Sequence, residues 1–196
     1  FVQAADLLLC GPKALLDESL ASRGMDRLGL EILDAPDLLD GSHSPVEALR
    51  SRPRNSIAVG VGALKQGAGQ AVVAAGSTGT VVAAATVGLG TLEGVRRPGI
   101  AVIIEGEKGP FLVIDVGANP QPKPQHLLHY ALMGSAYFAE TFGVAQPRVG
   151  LMNIGTEDQK GSPVIRETLP LLQEAAIDFV GNVEGSDVFQ GRCDVV

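Results

Sequence analysis

Two pairs of residues carry the chemistry of this chain: Asn119 with Lys123, and Asn153 with Lys160. Each pair follows an apolar, β-branched run that reads as a strand, FLVIDVG (111–117) and RVGLMNIG (148–155). Both runs break at glycine, and Pro120, Pro122 and Pro124 hold the first loop extended before a helix can start. The four side chains therefore sit at strand C-terminal ends, the edge at which open α/β sheets bind ligands. A lysine there stabilises a phosphate or a developing oxyanion where water is excluded, so Lys160 leads as the electrostatic group and Lys123 as a positioning one. Asn119 and Asn153 can donate amide N–H to phosphate or thioester oxygen. The competing readings are solvated lysines and asparagines that satisfy their own turns. A third run (178–183) leads into GNVEG, where Asn182 is another amide donor and Glu184 can orient a lysine or meet a partner subunit.

AAGSTGT (74–80) is the other informative segment. A strand reads to Gly76 and a helix from Thr78 or Gly79. Gly76 and Gly79 let backbone approach a ligand, Ser77 and Thr78 add hydroxyls, and the free N–H groups of a helix start suit an anion. An ordinary capped helix after a tight turn is the alternative. GLGTLEG (88–94) looks like a dinucleotide fingerprint, but its spacing is wrong and it ends a helix. GVGALKQG (60–67) lies inside a helix, and there is no Walker lysine motif, so nothing supports a nucleotide cofactor.

His126 and His129 stand three apart on a helix without a third ligand, so no metal site is expected, and His43 in its loop carries no argument. No serine or cysteine is paired with a histidine as a nucleophile would require. That pattern fits direct attack by phosphate on a thioester, which needs an anion cradle, oxyanion donors and an apolar groove. The first two are readable here; the groove is not.

A net formal charge of −7 argues against nucleic acid and against non-specific binding to anionic membrane. Arg50, Arg52 and Arg54, and the pair Arg96–Arg97, are the local basic clusters for an acidic partner. Cys10 and Cys193 lie in apolar strand-like runs, which predicts buried, inert thiols in a reducing cytoplasm. No charge occurs between Lys65 and Glu93, but Ala and Gly dominate and Gly76–Gly79 interrupts the stretch, so a buried strand and helix are expected rather than a membrane span.

The elements that position these residues alternate. Strands are predicted at about 6–10 and 28–33, with a helix from Pro12 to Arg23 between them and a loop from Asp34 to Pro45 after them. Asn55 or Ser56 caps a helix to about Gln66; QAVVAAG (70–76) reads as a short buried strand and Thr78–Leu89 as a helix. GIAVIIE and FLVIDVG form a hairpin across EGEKGP. A helix over 125–142, a strand over 147–154, a helix over 162–175, and strands at 178–183 and 193–196 complete the order. The result is an α/β fold: a doubly wound, mostly parallel sheet with an antiparallel hairpin portion, covered on both faces. The chain reads as one α/β domain, opening and closing within strand-like runs.

DVGAN…KP.HL..YA.MGSAY, RVGL.NIGTED.KG and DFVGNVEG.DVF.G..DVV, with AAGSTGT and GVRRPGIA upstream, resemble the PlsX family of bacterial phosphate acyltransferases. The likeness covers residues from about 45 to 196 well and the first 44 weakly. It implies a three-layer α/β/α architecture like that of isocitrate and isopropylmalate dehydrogenases. The reaction it implies joins inorganic phosphate to the acyl group of acyl-[acyl carrier protein], giving acyl phosphate for glycerol-3-phosphate acylation in phospholipid synthesis. It further implies a catalytic-domain fragment lacking the family's first strand and C-terminal portion, a homodimer, and peripheral membrane contact through parts outside this chain. It strengthens the phosphate reading of Gly76–Gly79, with one departure: Ser77 stands where the family carries Asn and reaches less far. Two other readings stay open, a phosphotransacetylase-like enzyme using acyl-coenzyme A and a non-catalytic acyl phosphate-binding homologue.

Overall fold

The computed structural model describes residues 6–25, 28–41 and 44–196, and the chain divides into two units between Leu92 and Glu93. His43 lies outside the described residues.

In the first unit, β1 (Leu8–Gly11) and β2 (Glu31–Asp34) pair in parallel around α1 (Lys13–Ser22). Asp34 accepts the Lys13 N–H at 3.0 Å, fastening the end of β2 to the free donors of the helix start. Asn55 caps α3 (Ser56–Lys65), as its residue type predicts: fully buried, it accepts the Ala58 N–H at 2.9 Å. Ile57 and Val61 of α3 pack with Ala84 of α4 (Thr78–Gly88) as the core of this unit.

One element lies where the sequence reading assigned none, and one expectation is corrected. Residues 45–51 form a helix, α2 (Pro45–Ser51), with Ser44 at its N-cap and Pro45 in its first turn, where the missing proline N–H costs nothing. QAVVAAG is not a buried strand: the stretch carries no strand assignment and Val73 is 98% exposed. A strand needs a neighbouring edge, and here Leu8–Cys10 and Ala71–Gly76 line a shared cavity of about 1360 Å³ instead of pairing. No described helix is long and apolar enough to cross a membrane, and the uncharged stretch after Lys65 contributes only the eleven-residue α4.

In the second unit, β3 (Ala101–Gly106) and β4 (Gly109–Ile114) form the expected antiparallel hairpin, and β5 (Arg148–Met152) and β6 (Asp178–Val183) a parallel pair. Val195 joins them, bridging Leu112 of β4 and Val149 of β5 in parallel. The expected strand at 193–196 is thus reduced to one bridge residue, but in the expected place at the middle of the sheet. Leu112 N–H donates to Asp194 O at 2.8 Å and Gly150 N–H to Val195 O at 2.8 Å. The order is β3–β4–Val195–β5–β6, and every member except β3 runs the same way.

Alternation along the strands separates two cores. Leu112, Val149, Leu151 and Val195 face α5 (Pro124–Phe142) and α6 (Pro163–Gln173), meeting Ala131, Phe138, Leu169 and Leu172. Phe111, Val183, Cys193 and Val196 face the other way, against Val188 of α7 (Gly185–Phe189). This is helix, sheet, helix. Pro124 in the first turn and Gly143, left-handed at φ 70°, delimit α5, whose buried stripe is Tyr130, Ala131, Gly134 and Phe138. Burial pushes the Cys193 thiol up to about 11, as an inert core cysteine requires.

Candidate functional site

Because β4, β5 and β6 are parallel, their C-terminal ends lie on one edge of the sheet, and three loops leave it there: 115–123, 153–161 and 184 onward. Asn119, Lys123, Asn153, Lys160, Asn182 and Glu184 belong to these loops or to the strand end beside them. Gly76–Gly79 belongs to the first unit.

The first loop is organised by a residue the motif reading passed over, Asp115. Its Oδ1 accepts N–H groups of Ile100, Gly117 and Ala118 at 2.9, 3.2 and 2.9 Å, and its Oδ2 accepts that of Asn119 at 2.8 Å. Burial pushes the carboxyl up, but the donors from Ile100, Ala118 and Asn119 outweigh it and hold Asp115 below the ordinary carboxylate range. An aspartate two residues before Gly-Ala-Asn is the sequence signal for such a turn. Asn119 is committed to the same structure: its amide donates to Pro98 O at 2.7 Å and to Asp115 Oδ2 at 3.3 Å. Lys123 is the N-cap of α5, its backbone N–H donating to Nδ1 of His126 at 3.2 Å, with an exposed side chain.

The second loop is tied by Asn153 and Asn182. Asn153 donates to Lys160 O at 3.1 Å and accepts the Ile154 N–H at 2.8 Å. Asn182, 2% exposed on β6, donates to Glu157 O at 3.3 Å, while its Oδ1 accepts no hydrogen bond among the described residues. Gly161, at φ 88°, lies against the Asn153 side chain, so any larger residue there is strained and displaces Asn153. The three sequence-predicted residues Asn153, Lys160 and Asn182 therefore come together around one turn, with the Lys160 side chain exposed on it. Glu184 is exposed at the N-cap of α7, its backbone N–H bonded to Asp187 at 3.0 Å.

In the first unit the helix start is where the sequence puts it. Ser77 is the N-cap of α4 and makes no side-chain capping bond. A Cβ on Gly76 would come within 3.0 Å of Ile57, and one on Gly79 within 3.0 Å of Pro45. Both glycines thus serve close packing, whatever else they bind.

The arrangement is an α/β sheet with three loops at its carboxyl edge, the edge at which open α/β sheets bind ligands. Solved structures share the fold: the EutD phosphotransacetylase from Staphylococcus aureus (TM-score 0.63, 21% identity) over 96% of this chain and 68% of its own, and a branched-chain phosphotransacylase from Enterococcus faecalis (TM-score 0.56, 14% identity) over 96% and 77%. More specifically, residues 2–196 match the family model described as fatty acid synthesis protein, and the chain belongs to that family. Among its relatives are proteins named phosphate acyltransferase from Elusimicrobium minutum, 42% identical over 97% of this chain, and Desulforudis audaxviator, 43% identical over 92%. The chain spans about half the length of these relatives, 56% and 54%.

Proposed function

We propose that the protein of which this chain is part transfers an acyl group from a carrier-protein thioester to inorganic phosphate. The observation that supports this most is the convergence of three loops, with Asn153, Lys160 and Asn182 around one turn, at the carboxyl edge of the sheet in a member of the fatty acid synthesis protein family. A phosphate oxygen attacks the thioester carbonyl carbon; the carbon–oxygen bond forms, the carbon–sulfur bond breaks, and the leaving thiolate takes up a proton. Lys160 offsets negative charge on the tetrahedral oxygen, Asn153 holds the turn that carries Lys160, and Lys123, fixed at the start of α5 beyond Asn119, positions phosphate. Within the first unit, Ser77, Thr78 and the helix start at Gly76–Gly79 are an anion-binding candidate of their own. The acyl phosphate then serves glycerol-3-phosphate acylation. Arg96 and Arg97, both exposed, form the docking patch for an acidic acyl carrier protein.

The test is release of carrier thiol from palmitoyl-carrier protein by the full-length protein, with and without phosphate. Release that needs phosphate and falls about a hundredfold or more in Lys160→Ala, the usual scale for losing one oxyanion donor, supports the reading. Release from palmitoyl-coenzyme A alone would reassign the acyl donor to the class used by phosphotransacetylases. Binding of acyl phosphate without any release would leave a binding protein.

A further inference from the structure

Strand β3 is the outer strand of the second unit's sheet, and its backbone is only half used. Leu112 and Ile114 of β4 turn their N–H groups away from it, to Asp194 O and Val196 O. Phe111 and Val113 therefore carry the rungs to β3, and the hairpin register sets them opposite Ile104 and Val102. The N–H and C=O groups of Ala101, Ile103 and Glu105 then point outward, and no loop or side chain bonds them among the described residues. An unpaired edge of this kind is a template for another strand. β3 carries no proline, lysine or bulge to prevent pairing. Its apolar side chains also stand uncovered on both faces, Val102 41% and Ile103 37% exposed.

The order of residues in β3 selects what covers it. Glu105 is its only charged residue. Laid antiparallel on itself about Ile103, the strand exchanges both backbone bonds of Ile103 with Ile103 of the second copy, and Ala101 pairs with Glu105 of the second copy at each end. Outward groups meet outward groups throughout. Ile103 then stands beside its own copy on one face, and Val102 beside Ile104 on the other, which are favourable β-branched pairs. Glu105 faces an alanine. Centring the pair on Glu105 instead opposes two carboxylates, and centring it on Ala101 runs Ile103 past the strand end, opposite Gly99. A two-fold contact needs this match within one sequence only.

We infer that the free edge of β3 pairs antiparallel with β3 of a second copy of this chain, in the register centred on Ile103, so that two sheets become one across a two-fold axis. The inference is independent of the acyl-transfer reading above. It is tested by fluorescence-detected sedimentation of the full-length protein over a dilution series. Ala101 is exposed, so a charge there is compatible with the folded monomer. Ala101→Glu sets a carboxylate opposite Glu105 at both ends of the pair, and Ala101→Lys sets an ammonium there. The dimer dissociation constant should rise about tenfold in the first and fall about tenfold in the second, because two symmetric pairs change together. Ile103→Pro deletes the outward N–H at the two-fold centre while sparing the rungs to β4, and should leave monomer.

Opposite shifts in the two Ala101 variants carry the inference even if Ile103→Pro fails to fold, since a merely structural role for β3 would not respond to the sign of the charge. A wild-type protein that stays monomeric into the micromolar range overturns it. Equal dissociation constants for wild type, Ala101→Glu and Ala101→Lys also overturn it, because the copies then meet elsewhere. A folded Ile103→Pro protein that loses thermal stability but remains as dimeric as wild type overturns it too, and gives the edge to another part of the same polypeptide.

Discussion

Replacing Asp115 by Asn should loosen the loop that carries Asn119 and Lys123 more than any other single change near it. The carboxylate accepts four backbone N–H groups and one side-chain amide, at 2.8–3.3 Å. Asparagine keeps one oxygen but presents an NH₂ group to donors on the other side, so at least one charge-assisted bond becomes a clash of donors. A hydrogen bond to a charged group is worth about 1.5–3 kcal/mol. Because Asp115 is only half-buried and water competes for its oxygens, the loss is about 2–3 kcal/mol rather than a multiple of that figure. For a chain of this length that lowers the thermal midpoint by roughly 4–12 °C. The effect also has a pH signature. The folded carboxyl titrates below its ordinary value of 3.8, so its contribution is present above that value and is lost as pH falls through the lower folded value. The gap between wild type and Asp115→Asn, followed by urea unfolding from about pH 7 downward, should hold constant to near 3.8 and then narrow. A gap that is absent at neutral pH, or that persists unchanged into acid, refutes the reasoning.

Three further outcomes follow from the geometry. In Gly134→Ala, the new Cβ would lie 2.7 Å from Val195 and 3.2 Å from Ile114, forcing α5 off the sheet; a loss of about 1–3 kcal/mol is expected in denaturant unfolding, and a change within about 0.5 kcal/mol would show that the helix yields freely. Asn153→Ala removes the bonds to Lys160 O and Ile154 N–H that close the turn, so phosphate KM should rise several-fold with little change in thermal midpoint; an unchanged KM would separate the turn from phosphate binding. Burial, then the charges of Arg97 and Lys123, hold His126 below its ordinary value of 6.5, and its Nδ1 accepts the Lys123 N–H. The unfolded chain is therefore protonated first, and this contribution to stability, present above 6.5, is lost as pH falls. His126→Gln should lack that loss, and parallel pH profiles for the two proteins would contradict it.

What the sequence made legible was local. Asn55 as a cap, Pro124 and Gly143 as the limits of α5, and EGEKGP as a hairpin link each follow from residue chemistry within a few positions. QAVVAAG failed because apolar composition specifies a preference for strand, whereas pairing needs a neighbouring edge that only the tertiary structure supplies. The seven-residue α2 is too short to show a helical period, and its proline reads equally as loop. The strand-end positions of Asn119, Asn153 and Asn182 were readable, but their hydrogen-bond partners were not: Pro98 O lies twenty-one residues from Asn119, and Glu157 O twenty-five from Asn182. The same distance in sequence hid the pairing of Arg148 with Asp194, where two guanidinium bonds of 2.7 and 3.0 Å fasten the start of β5 to the middle of the sheet.

The most direct test of the central claim follows the phosphate itself. The full-length protein is incubated with palmitoyl-carrier protein and isotopically labelled phosphate, and hydroxylamine-reactive acyl phosphate is measured by mass spectrometry. The account predicts label in the acyl phosphate in amounts matching the thiol released, with both reduced together in Lys160→Ala. Release of carrier thiol together with free fatty acid, with no label joined to the acyl group, would contradict it.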